Sequence, residues 1–385
     1  MDETELSKSH TTWTLAMPNA PQPSTFDVAC SIRKWAVEHG IMRPVAGALE
    51  ASINATATAI KASTDFESMM RQKELLSIAF NEASRTIYLY TKRKVTGKDL
   101  KTLPSSILNC GIAYPQGVVE EIGKNNQIAH GAAASMILAG GANRYACGSS
   151  ISPGNSHSAG TLGALVVDAA GVIHGLSNNH VTGLCNHSQV GLPILAPGVL
   201  DVGPGGVNPF TLGFHKTVLD MAIGTQGNVD VSRNSDAAIF EIFQTANVSS
   251  SQGGVYDTPT SIVDPLDGMV VEKVGRTTGH TRGKIVGQEL MPVEISYSAP
   301  NFGFQGRILF ENVWVIHGEN VPFGQPGDSG SLIVQIDGGG LRHAVGLLFA
   351  GGTDSLGPEN QRTFFLPIRP ILEKLQVSLL GGHNV

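Results

Sequence analysis

The sequence is poor in charge and in cysteine. Of its 385 residues only 15% are charged, and the net charge is −6. No broad basic surface is therefore expected for nucleic acid or an anionic lipid headgroup, and neither is expected as a partner. The one basic run, "YTKRKVTGKDLK" at 90–101, reads as the solvated face of a strand and loop. No stretch approaches the roughly 18 continuous apolar residues of a helical membrane span, so no membrane partner is expected. The leading "MDETELSKSHTTWTL" lacks the apolar centre of a secretion signal, so a cytoplasmic location is expected. The four cysteines, Cys30, Cys110, Cys147 and Cys185, are too sparse and irregularly spaced for a disulfide framework and read as reduced thiols. Cys185 and His187 lie close to His180, and Cys147 would complete a donor set for zinc. No paired C-x-x-C spacing supports it, so neither metal nor cofactor is expected.

What is abundant is glycine, with 46 residues, and proline, with 20, both mostly beyond residue 110. Tight turns at that density point to β-structure in the C-terminal two-thirds, and the length suits two or three domains. Near the N-terminus "FDVACSIRKWAVEHGI" places Phe26, Ala29, Ile32, Trp35 and Ala36 on one helical face. "FESMMRQKELLSIAFNEAS" repeats the rhythm. From "RTIYLYTKRKV" the period shifts toward alternation, and "GIAYPQGVVEEIG" reads as another strand. Residues 1–125 are thus expected to form an N-terminal helical and small α/β domain, and the small, glycine-rich stretch 126–158 a linker. Residues 159–385 are expected to form an all-β domain of short β-branched strands, a sandwich or barrel pair. It closes in an amphipathic helix, "PIRPILEKLQVSLL", with Ile368, Ile371, Leu372 and Leu375 on one face.

Three polar residues stand at the ends of apolar strands in that domain. In "VIHGLSNNHVTG" an apolar strand gives way to a polar turn carrying His180, and in "NSDAAIFEI" Asp236 precedes another. In "GQPGDSGSLIV" Ser329 sits in a glycine-rich turn that feeds a third. The order His, Asp, Ser is one in which a nucleophilic serine triad is found. A serine hydroxyl is a poor nucleophile near neutral pH, so a histidine must take its proton and return it to the leaving amine. The histidine needs an acceptor on its other nitrogen to fix the tautomer and stabilise the imidazolium. Ser329, His180 and Asp236 supply those types, and the backbone N–H groups of Gly327 and Ser329 are placed to bind a tetrahedral oxyanion. Asp220 in "VLDMAIG" is a competing acid, although "SDAAIFEI" fits the pattern better. "GRTTGHTRGK" has the look of a phosphate loop, but its spacing fails and no Ser or Thr follows the lysine.

"GDSGS" around Ser329, "NNHV" around His180, "DAAI" at Asp236 and "VGRTTGHTRGKIVG" at 274–287 together resemble the chymotrypsin-like serine peptidases. The pattern over roughly 155–375 is most similar to intracellular bacterial trypsin-like peptidases related to the plant narrow-leaf protein. The resemblance implies two six-stranded antiparallel barrels, with His180 and Asp236 from the first and Ser329 from the second. It implies a serine endopeptidase acting on a protein or peptide substrate. The strand "AVGLLFAGG" matches the edge that pairs with an extended substrate, through the backbones of Phe349, Ala350 and Gly351. Phe323 stands where digestive relatives carry a pocket aspartate, so a basic residue before the cut lacks a counter-charge and a small or apolar one is expected. "KIVG" at 284–287 looks like the new N-terminus of an activated zymogen, but it follows both His180 and Asp236 and reads as a strand. In relatives with "GRTTG" the arginine holds the buried aspartate beside the nucleophile, so an Arg276–Asp328 ion pair is expected to order the oxyanion loop without proteolytic activation. Two rivals remain: a pseudoprotease used as a binding scaffold, and an enzyme gated or assembled by a partner acting through the N-terminal domain.

Overall fold

A computed structural model of the chain describes residues 22–45, 48–119, 137–140, 142–204, 207–224 and 228–385. It divides into two compact units, Met1–Gln116 and Gly117–Val385.

The first unit mixes helices and strands. Helix Thr25–Glu38 starts at a reciprocal cap, in which the Ser24 hydroxyl accepts from the Asp27 N–H and the Asp27 carboxylate accepts from the Ser24 N–H. Its buried face is Val28, Ala29, Ile32, Trp35 and Ala36. Phe26, expected on that face, is instead exposed and lies edge-on to Phe80. Helices Ala48–Thr56 and Thr64–Lys73 follow. The helical rhythm read through residue 84 stops early, because Glu74 turns into the left-handed region with φ 56°. Leu75–Asn81 is then a strand paired antiparallel with Thr86–Thr91. Thr86–Thr91 pairs in parallel with Cys110–Ala113, which pairs in turn with Ser106–Ile107.

The second unit carries two β-layers. Eight strands form a curled antiparallel sheet in the order Val377–Leu379, Ala164–Asp168, Ile173–Ser177, Ala238–Ile242, Phe210–Val218, Pro193–Ala196, Ser150–Pro153, Gly160–Thr161. Leu165, Ile194, Leu212 and Phe240 fill its concave side. Six more strands run Val270–Gly275, Leu332–Ile336, Arg342–Thr353, Gln361–Pro367, Trp314–Gly318, Gly279–Glu289, and the last pairs back onto the first. That ring is a closed antiparallel barrel, filled by Val271, Ile285, Ile316, Phe323, Ile333 and Phe365. Of the two six-stranded barrels expected, only the second closes. The first opens as a half-barrel, whose terminal strands do not pair with one another among the described residues. A hairpin, Val293–Ala299 with Phe304–Phe310, leaves the closed barrel and packs Ile295, Tyr297 and Phe310 into the core shared by the two layers.

The stretch read as a linker contains strands instead. Ile137–Gly140 pairs with Ala142–Cys147, which runs parallel to Val248–Gln252, and Ser150–Pro153 belongs to the half-barrel. Residues 126–136 of the expected linker, and the expected boundary at 125, lie outside the described residues. Small residues here answer to a parallel strand pairing across about a hundred residues of sequence, not to flexibility. "KIVG" lies inside strand Gly279–Glu289. The terminal helix Ile368–Leu375 buries Ile368, Ile371, Leu372 and Leu375, the four residues expected. Each fully buried aliphatic side chain contributes roughly 1.5–3 kcal/mol. No described helix is long and apolar enough to cross a membrane.

Candidate active site

Strand Ile173–Ser177 ends at Asn178, and the next residues wind into a short wide turn, Asn179–Gly183, that carries His180. Asn178 fixes the end of the strand by donating from Nδ2 to the Asp236 carbonyl at 2.6 Å. His180 Nδ1 stands 2.5 Å from Asp236 Oδ2, and the His180 backbone N–H donates to Oδ1 at 2.9 Å. The Asp236 side chain is fully buried, whereas that of His180 keeps 12% of its surface exposed. The carboxylate therefore fixes both the backbone and the ring of His180, whose side chain keeps a small exposed surface. Asp220, the rival acid, is an exposed surface residue whose carboxylate pairs with Arg233 at 3.1 Å.

A residue that the sequence reading missed completes this carboxylate. Tyr297, on the hairpin, donates its hydroxyl to Asp236 Oδ2 at 2.9 Å, and its ring centroid lies 5.4 Å from that of His180. Burial first, and then the neighbouring Asp236 charge, push the Tyr297 hydroxyl well above its ordinary pKa. It stays protonated and stays a donor. Tyr297→Phe removes one hydrogen bond to a buried charge, a contribution of about 1.5–3 kcal/mol. Acylation by an active-site serine probe is expected to slow roughly ten- to hundredfold. The measurement is the second-order inactivation rate, read beside the thermal midpoint. A midpoint that falls while the rate holds would make Tyr297 structural only.

The Ser329 turn is built from both layers. Gly327 has φ 100°, a conformation that side-chain-bearing residues rarely adopt. Asp328 N–H donates to the Gln325 carbonyl at 2.9 Å, and Ser331 N–H to the Asp328 carbonyl at 3.0 Å. From the half-barrel, Thr161 donates its N–H to the Ser329 carbonyl at 2.9 Å and its hydroxyl to the Gly327 carbonyl at 2.9 Å. Ser177, three residues before His180, donates to the Thr161 carbonyl at 2.8 Å. The same short stretch thus connects the His180 turn to the Ser329 turn.

The expected Arg276–Asp328 pair does not form. Arg276 instead donates from Nε and Nη2 to the two oxygens of Asp201 at 2.5 Å each. Asp328 is fully buried, and its ionic partner is Lys273, with Nζ 3.4 Å from Oδ2 and no exposed surface on either side chain. Oδ1 also accepts from the N–H groups of Thr277 at 2.8 Å and Thr278 at 3.2 Å, and Oδ2 from the Thr278 hydroxyl at 2.7 Å and the Gln325 N–H at 3.0 Å. Lys273 Nζ donates as well to Thr278 Oγ1 and, at 3.0 Å, to the Gly279 carbonyl. Burial depresses the Lys273 pKa and the Asp328 charge opposes that shift. The "GRTTG" turn does hold Asp328, but through its backbone and threonines, while its arginine ties the turn to Asp201 of the half-barrel.

The expected pocket residues separate into core and edge. Phe323 is buried in the closed barrel, its ring 6.0 Å from Lys273 Nζ, so its side chain is core and not a pocket wall. Phe349 is likewise core, edge-on to Phe310 at 5.0 Å, and Ala350 is buried. Gly351 is half-buried on strand Arg342–Thr353. The four cysteines are buried and free. Cys147 Sγ lies 3.5 Å from the Ser249 carbonyl, and burial pushes both the Cys147 and Cys185 thiols up to about 12.

No protein-family profile matches the chain, and no curated protein sequence matches it significantly. Among solved structures, Thermobifida fusca Protease A is similar at 18% identity over 62% of this chain and 100% of that chain, with a TM-score of 0.39. Nocardiopsis Protease is similar at 19% identity over 60% and 97%, TM-score 0.38. Cellulomonas bogoriensis chymotrypsin is similar at 18% identity over 61% and 97%, TM-score 0.36.

Proposed function

We propose that this protein is a serine endopeptidase that cleaves peptide bonds through an acyl-enzyme. The observation that carries the reading is the buried Asp236 carboxylate, which holds His180 Nδ1 at 2.5 Å on a side chain that stays partly exposed. In the first step His180 Nε2 removes the Ser329 hydroxyl proton as Oγ attacks the scissile carbonyl. The Gly327 and Ser329 N–H groups receive the oxyanion, each donor contributing about 3–4 kcal/mol to the transition state. His180 then passes its proton to the leaving amine, and water repeats the cycle on the ester. The substrate is a protein or peptide strand laid along Phe349, Ala350 and Gly351 through backbone hydrogen bonds, with a small or apolar residue before the cut. The motif likeness to the intracellular bacterial peptidases related to the narrow-leaf protein, a cytoplasmic location, and gating by the N-terminal unit or a partner bound to it all belong to this reading.

A fluorophosphonate probe tests it. The wild-type chain is expected to be labelled on the peptide containing Ser329. Ser329→Ala should take no label, and His180→Ala should label far more slowly. A folded wild-type protein that takes no label would instead support the non-catalytic scaffold. A peptide-library digest, comparing wild type with Ser329→Ala, then reads the preference before the cut.

A further inference from the structure

Strand Arg342–Thr353 has two edges, and they are used differently along its length. One edge pairs with Gln361–Pro367 from Gly346 to Thr353. The other pairs with Leu332–Ile336 only as far as Leu347. Beyond that point this second edge is the one a substrate strand would join, and its outer end is already taken by the chain itself. The Thr353 N–H donates to the Val118 carbonyl at 2.9 Å, the Val118 N–H donates to the Thr353 hydroxyl at 2.9 Å, and Val119 pairs antiparallel with Gly352. The approach is close enough that a Cβ on Gly352 would stand 2.5 Å from the Val118 carbonyl oxygen. Val119 packs against the shared core. This is an anchored rung of sheet and not a passing contact.

Strand parity places the remaining groups. Residues two apart direct their N–H and C=O to the same edge, so the polar groups of Gly351 face the side on which Thr353 meets Val118. A peptide lying antiparallel to this edge, with the residue before the cut opposite Phe349, would place its second residue opposite Ala350 and its third opposite Gly351. Its fourth and fifth would fall opposite Gly352 and Thr353, where Val119 and Val118 already lie. The built-in segment also runs in the direction such a peptide must run. Resting on the serine-peptidase reading, we propose that Val118 and Val119 determine specificity by ending the strand pairing on the acyl side at the third residue, so that a substrate pairs three residues before the scissile bond with this edge and its fourth and fifth must turn away from it.

The test is a series of acetylated chromogenic peptides with one to six residues before a fixed leaving group. Wild-type kcat/KM is expected to rise up to three residues and then to level off, because the fourth and fifth turn away from the edge. Val118→Pro, which removes the donor to Thr353, and Thr353→Val, which removes the acceptor while keeping the side-chain shape, are each expected to let the five- and six-residue peptides gain about tenfold over the three-residue one. The three-residue peptide should change little. A continued rise from three to six residues with wild type overturns the proposal. Binding to Ser329→Ala, followed by fluorescence anisotropy of three- and six-residue peptides, gives the same comparison without catalysis. Absence of fluorophosphonate labelling therefore removes the peptidase reading, while tighter binding of the six-residue peptide removes the pairing limit.

Discussion

Asp236→Asn is expected to lower the acylation rate about 10,000-fold while leaving the fold in place. The carboxamide is nearly isosteric and still accepts a hydrogen bond, but it carries no charge to stabilise an imidazolium. Its NH2 group facing His180 Nδ1 would select the wrong imidazole tautomer. In this protein the effect should be fully developed, because the carboxylate is completely buried and its oxygens already receive the His180 N–H and the Tyr297 hydroxyl. An asparagine that turns its NH2 away from the imidazole must point it at one of those donors. Pre-steady-state labelling by a fluorophosphonate, compared with circular dichroism and the thermal midpoint, reads both parts of the prediction. A loss below tenfold would mean that Asp236 does not act on His180 as its geometry indicates.

Lys273→Met is the second large effect, and it falls on stability. The substitution matches the volume of the side-chain stem but leaves the Asp328 charge inside the barrel without its ionic partner. Removing one member of such a pair typically costs about 3–5 kcal/mol. The carboxylate keeps its four hydrogen bonds from Thr277, Thr278 and Gln325, so the loss is expected toward the lower end of that range. Each kcal/mol lowers the midpoint of a domain of this size by about 2–4 °C, so calorimetry should register a fall of roughly ten degrees. Because Asp328 adjoins Ser329, labelling should weaken along with stability. A Lys273→Met, Asp328→Asn double-mutant cycle measures the coupling directly, and additive single effects would remove the pair from the account. Arg276→Ala, by contrast, leaves every Asp328 contact in place and unpairs Asp201.

The contrast between these two basic residues shows where reading the sequence alone stops. Both lie in "VEKVGRTTG", and the buried aspartate could be assigned from residue type to either. The decision is made by strand parity. Lys273 and Gly275 share one face of strand Val270–Gly275, and a Cβ on Gly275 would stand 2.5 Å from Asp328 Oδ1. The face that meets Asp328 is therefore the lysine's, while Arg276 lies past the strand end and turns toward Asp201. The contact between His180 and Asp236 was legible because each sits at a strand terminus beside turn residues that have few structural uses. Tyr297 was not, since it reaches Asp236 across 61 positions on a hairpin whose apolar alternation hides the hydroxyl that meets the carboxylate. The helical rhythm read over 66–84 failed for a local reason, the left-handed turn at Glu74. The expected linker failed for a distant one, since strand Ala142–Cys147 depends on a partner at Val248–Gln252.

The two hydrogen bonds from Thr161 make the Ser329 turn the joint property of both layers. Its glycines and its ionic support come from the closed barrel, but its carbonyls are turned by a residue of the half-barrel. On the proposed reading the oxyanion donors, the Gly327 and Ser329 N–H groups, belong to the closed barrel, and the half-barrel fixes them through their carbonyls. The proposed peptidase activity would consequently report how well the two layers are docked, and it is expected to be lost when they part even if each keeps its own strands.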